Sequence, residues 1–265
     1  LNPSDLTASL YFTAAVRVAA DASLTRLLPL DALQNLLAPH EHFSHRILLS
    51  LQALGVIEPE LSLAHADDWL LSRDWMKYGF DSVAWRIRWT PGDCRRRHDI
   101  ANEIWSDVDF DDDESLSALL ALWEDLALAE VAQYTGWLLS KSGYNPDWTY
   151  CAIDALRHAL EIFSVNQVMY LVYLSVRSVA TTHQLGGVES ARLGLVFASS
   201  VTSFSGRANA EGWNIRGMTR PAELSMSSIS LIFAHEVTRL DDEYFAKSPS
   251  LELLRGSMTR HRTLH

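Results

Sequence analysis

Between Ser115 and Leu138 the apolar residues Leu116, Leu119, Leu120, Trp123, Leu126, Val131, Tyr134, Trp137 and Leu138 recur mainly at spacings of three and four. That period puts an apolar stripe on an α-helix and is wrong for a strand, whose side chains alternate between faces. A helix gains most of its stability by burying such a stripe against neighbours, so this segment demands helical partners. The following chain supplies them. Asn145-Pro146-Asp147 starts a helix through Phe163, because Pro suits the first helical position. Ser164 caps a helix running to His183, and Gly186-Gly187 breaks the chain. Glu189 to about Gly212 is a further helix, rich in small residues (Ala198, Ser199, Ser200, Ser203, Ser205 and Gly206) that suit close helix approach. Trp213 to Pro221 reads as an irregular basic loop carrying Arg216 and Arg220. A late helix covers Ser225 to Leu240, and a last amphipathic stretch surrounds Leu251 to Leu254.

The N-terminal part is more mixed. Asn2-Pro3 opens a helix to about Ala20, Asp31 to Ala38 makes a turn or two, and Glu41 to Leu54 is a stronger helix stopped at Gly55. Ala64 to Tyr78 also reads as helix, stopped by Gly79, and Cys94 to Trp105 as another. Ser82 to Thr90 alternates instead. Val83, Trp85, Ile87 and Trp89 take one side and Ala84, Arg86 and Arg88 the other, the period of a half-buried strand. The expected fold is therefore mainly α: a multi-helix bundle over residues 107–254, a smaller N-terminal helical part over 1–106 with one short β-ribbon, and a tail over 255–265.

Aromatic content (nine Trp, eight Tyr, nine Phe) argues against disorder, because these side chains supply the burial that offsets chain entropy. The net charge of −11 disfavours non-specific nucleic-acid binding, which needs cations to displace phosphate counterions. Cys94 and Cys151 are the only cysteines, too few and too far apart for a disulfide framework or a zinc site, so a reducing cytoplasm is expected. The most apolar run, Val168 to Val176, is far shorter than the roughly 20 residues a membrane span needs.

One local feature stands out from this ordinary background. Arg86, Arg88, Arg95, Arg96 and Arg97 precede Asp107, Asp109, Asp111, Asp112, Asp113 and Glu114. The acid run is explained in part by the helix that follows, whose N-terminus favours carboxylates. The three arginines at 95–97 open a helix whose dipole disfavours them. They pair with the chain's own acids or with an external anion.

Other candidates are weaker. Asp107, Asp109 and Asp111 match the first ligand positions of a calcium loop, but Asp112 replaces the required Gly and Ala118 the bidentate Glu. His40, Glu41, His42 and His45 form the densest histidine group, yet Ser44 stands where a zincin needs its second His. No metal or cofactor is expected. No nucleophile elbow, phosphate loop, dinucleotide fingerprint or Cys-x-x-Cys is present, so no catalytic residue is assigned.

The expected function is a non-enzymatic, acidic helical protein that binds a macromolecular partner, in an adaptor, neutralising or regulatory role. The candidate partner- or anion-binding residues are Arg86, Arg88, Arg95, Arg96 and Arg97, and the candidate acidic surface is Asp107, Asp109, Asp111, Asp112 and Asp113. One alternative is a winged-helix DNA-binding regulator using residues 30–97, with Glu41 to Leu54 as reader and Arg86 and Arg88 on the wing. A second is an enzyme with a site in the bundle core.

Overall fold

The computed structural model describes residues 6–33, 35–60, 79–89, 112–185 and 192–262. It is mainly α, with a small three-stranded antiparallel sheet near the N-terminus. The chain divides into two compact units, one formed by Leu1–Ala118 with Met226–Val237 and the other by Leu119–Ser225 with Thr238–His265.

In the first unit, helix α1 (Leu6–Ala19) is buried along most of its length, with Leu10, Phe12, Ala14 and Ala15 fully enclosed. The chain then turns on Asp21, whose carboxylate accepts from the backbone N–H groups of Thr25 (2.7 Å) and Arg26 (3.1 Å) and from the Ser23 hydroxyl (2.6 Å). These donors, the Ser23 hydroxyl foremost, hold the carboxyl well below the usual carboxylate range. The turn delivers β1 (Arg26–Leu27). A short 3-10 turn (Leu30–Ala32) and helix α2 (Glu41–Ala53) follow. Helix α2 buries Phe43, Ile47, Leu48 and Leu51. It ends where Gly55 takes a φ of +68°, with Gly55 N–H bonded to Gln52 O and Val56 N–H to Leu51 O. That left-handed cap turns the chain straight into β2 (Ile57–Pro59). A 3-10 turn at Phe80–Ser82 precedes β3 (Trp85–Ile87).

β3 lies between the other two strands, in the order β1-β3-β2. Arg86 stands opposite Arg26 on one side and Glu58 on the other. The alternation expected for 82–90 is present over β3, where Trp85 and Ile87 are buried and Arg86 is exposed, while Ser82 belongs to the preceding 3-10 turn and Thr90 lies outside the described residues. Trp89 is anchored by its indole N–H, which donates to Leu24 O at 2.6 Å, and packs edge-on against Phe12.

The rest of this unit comes from far along the chain. Helix α7 (Ser228–Leu231), capped by Ser227, widens into a π-helical turn over Ile232–Val237. The continuous helix expected over Ser225 to Leu240 is thus interrupted, and the wide turn leaves Ile232, Phe233, Ala234 and Val237 all buried. Ser228 N–H and Ile229 N–H bond to Leu36 O and Leu37 O, and Arg17 of α1 forms a bidentate ion pair with Glu236.

The second unit is a helical bundle. Helix α3 (Asp113–Lys141) enters it at Leu119 and continues to Lys141. The single apolar stripe expected here understates its burial, because Leu126, Ala127, Ala129, Glu130, Val131, Ala132, Tyr134 and Thr135 are all buried, covering most of the circumference. Helices α4 (Trp148–Leu160), α5 (Val165–Gln184) and α6 (Leu193–Ala210) form the core with it. Ser164 caps α5 in a reciprocal box with Gln167. The small residues of α6 divide between the packed and the exposed side of the helix. Ser199, Ser203 and Gly206 face solvent, Ser205 is buried and Ala198 packs against the core, and a further close approach is made at Gly194, where an added Cβ would sit 2.9 Å from Trp148 Cδ1. Short helix α8 (Glu243–Ala246) buries Tyr244 against Trp123, and α9 (Leu251–Arg262) continues through residues where the sequence suggests a tail.

Candidate functional site

The exposed face of the β1-β3-β2 sheet carries two of the charged side chains that the sequence singles out, Arg86 and Arg88. Alternation turns Arg86 outward between two buried neighbours, and Arg88 just beyond β3 points the same way. The two guanidiniums are 59% and 60% exposed, and Arg26 of β1 is 61% exposed. They are not alone. Glu58 and Glu60, from β2 and its end, lie between them.

The contacts grade from tight to loose across this face. Glu60 is gripped by Arg26 (Nη2 at 2.6 Å, Nε at 3.0 Å) and by Arg86 Nε at 3.2 Å, and its side chain is only 15% exposed. The hydrogen bond from Arg26 is the main reason its carboxyl is held below the usual range, and the same contact raises Arg26 above its ordinary value. Glu58 is looser. It is 41% exposed and stands 3.6 Å from both Arg86 Nη1 and Arg88 Nε, beyond hydrogen-bond reach. These groups, with Thr25, Ile87 and half-buried Trp89, line an open depression of about 520 Å³.

The remaining predicted residues divide by position. Asp112 and Asp113 lie at the start of α3. Asp112 Oδ1 accepts from Ser115 N–H at 2.7 Å, and this region's Ser115 bonds hold the Asp112 carboxyl low, so the residue serves as a helix cap. Arg95, Arg96, Arg97, Asp107, Asp109 and Asp111 lie outside the described residues.

The histidine group gathers at the start of α2. His40 caps the helix through Nδ1, which accepts from His42 N–H at 3.4 Å. The His40 and His42 rings stack at 5.5 Å, and His45 Nε2 meets Asp81 Oδ1 at 2.6 Å. Burial chiefly, then the nearby His42, pushes His40 below the ordinary imidazole value; Glu41 opposes the shift and His45 adds to it. Among the described residues no group of three or more His, Cys, Asp or Glu is placed to hold a metal ion.

Sequence reasoning missed two things. The first is Glu58 and Glu60 as answering charges; the signal was their alternation with Ile57 and Pro59 directly after the Gly55 stop. The second is Glu130, a fully buried carboxylate in α3. Arg220, from the irregular segment after α6, reaches it and also donates to Gln133 Oε1 (2.5 Å), Leu224 O (2.7 Å) and Ser225 O (2.9 Å). A Glu amid apolar helix residues carries no local mark of a partner 90 positions away.

No family model matches this chain, and no curated protein or solved structure matches it either.

Proposed function

We propose that this is a partner-binding protein of the cytoplasm, in an adaptor, neutralising or regulatory role, and that it docks another protein on the charged sheet face of its first unit. The observation that carries this reading is the interleaving of Arg26, Arg86 and Arg88 with Glu58 and Glu60 on one exposed surface. A face that carries both signs of charge gives register and selectivity against another protein, where both signs find complements. It is poorly suited to a nucleic-acid backbone, which gains affinity from many unopposed cations spread along it. Among the described residues no helix is long and apolar enough to cross a membrane, in keeping with a partner in solution.

The test is co-purification. The wild-type protein should retain a stoichiometric protein partner that the Arg86→Ala/Arg88→Ala variant loses, while Lys141→Ala, at an exposed ion pair in the second unit, keeps it. A wild type that returns no partner, or a double variant that retains it fully, defeats the reading.

A winged-helix DNA-binding regulator is the second reading, favoured by one observation: the order α1, β1, short turn, α2, β2, β3 with β3 between β1 and β2. Against it, the reader helix exposes Glu41 and His42, and its Arg46 lies over the Phe43 ring at 4.1 Å. The DNA reading requires duplex binding in a gel shift that falls when Arg86 and Arg88 become Ala.

A further inference from the structure

We infer that the docking face takes an acidic peptide segment, with Arg88 and the outer edge of Arg86 accepting a partner carboxylate in place of Glu58; this rests on the docking reading above. The grading of contacts supplies the argument. Glu60 is committed, held by short bonds from two arginines and largely buried. Asp21, the other carboxylate close to Arg26, is saturated by Ser23, Thr25 and the Arg26 backbone. Of the described carboxylates on this face, Glu58 is the exchangeable one, since neither of its guanidinium contacts at 3.6 Å is a hydrogen bond. Arg88 has no closer carboxylate among the described residues, so its planar fork of donors is left for a bidentate pair that Glu58 does not make.

The stoichiometry also selects the ligand. Arg88, whose printed carboxylate contact is loose, and the Nη edge of Arg86, whose Nε is committed to Glu60, match one carboxylate. They are too few for a phosphate backbone, whose recognition spreads over many contacts. The net charge of −11 repels an acidic peptide at long range, which restricts productive binding to this local exchange.

The experiment is fluorescence anisotropy of a labelled hexaglutamate peptide titrated with the full chain. Glu58→Gln removes the internal competitor and should tighten binding about fivefold, the size of an exposed charge pair. Arg88→Ala should weaken it by at least as much. Glu223→Gln makes the same change in net charge at an exposed ion pair with Lys141 in the second unit, and should leave binding unchanged. Equal tightening in Glu58→Gln and Glu223→Gln overturns the exchange, because it would show a general charge effect. Stronger competition by a DNA duplex than by unlabelled peptide overturns it in favour of the DNA-binding reading. If the peptide does not bind but Arg86→Ala/Arg88→Ala still loses its co-purified partner, the acidic ligand falls and the docking face stands. If that variant keeps its partner, both fall.

Discussion

Glu130 and Arg220 are the residues on which the second unit's irregular strap depends. A carboxylate with no solvent access pays a large desolvation cost, and Arg220 offsets it with charge-assisted bonds while its remaining donors close on Gln133, Leu224 and Ser225. Arg220→Ala strands the carboxylate and should cost about 3–5 kcal/mol in urea unfolding. Adding Glu130→Leu to Arg220→Ala should recover part of that loss, and a double variant no more stable than Arg220→Ala contradicts the account. His40 gives a pH dependence. Its folded pKa is depressed, so between that value and the unfolded value of about 6.5 the unfolded chain holds more protons. The His40 contribution is therefore fully present above about pH 6.5 and is lost as pH falls through the depressed folded value. His40→Asn keeps a capping side chain without an imidazole, and should flatten the slope of stability against pH below about 6.5, read by thermal melts at stepped pH.

At the scale of elements, what the sequence makes legible is what local chemistry dictates. Gly55 ends α2 because the chain there needs a positive φ, and Ser164 caps α5 because its hydroxyl reaches Gln167 N–H. β3 is readable because Trp85 and Ile87 must enter the core while Arg86 cannot. β1 is not readable: two residues carry no period, and Arg26-Leu27 becomes a strand only because β3 and the Asp21 turn place it. The small residues of α6 are legible only in part, for a related reason. Composition reveals that a backbone can be approached closely, while the bulky group that approaches it, Trp148 at Gly194, comes from another helix. Gly194→Ala should force Trp148 to move and cost about 1–3 kcal/mol, with its Tyr144 stacking at 5.1 Å disturbed. A crystal structure of that variant with Trp148 unmoved and stability unchanged would contradict this packing. At the candidate site, Arg26 escapes the sequence reading, while Arg86 and Arg88 are visible in it. Their neutralising glutamates are not, because the pairing depends on strand register rather than on proximity in the chain.

On the scale of the whole molecule, the first unit is completed by a distant segment. Ile229, Ile232, Phe233 and Ala234 are fully buried, and their helix packs on α1 and bonds to Leu36 and Leu37. A fragment ending at Ala118 lacks this layer and should unfold without a cooperative transition, whereas the same fragment joined to 226–237 by a flexible linker should regain one in a thermal melt. The unit so completed carries the face on which the functional account rests. Its most direct test is a charge swap, Glu58→Arg with Arg88→Glu, in one chain. The swap keeps an intramolecular pair but reverses the outward pattern. Co-purification and thermal melting are read on the same preparation. The account predicts a melting temperature close to wild type and loss of the bound partner. Retention of the partner at the wild-type level by the folded swap variant would contradict it, and would leave Arg88 and Glu58 as a structural pair and nothing more.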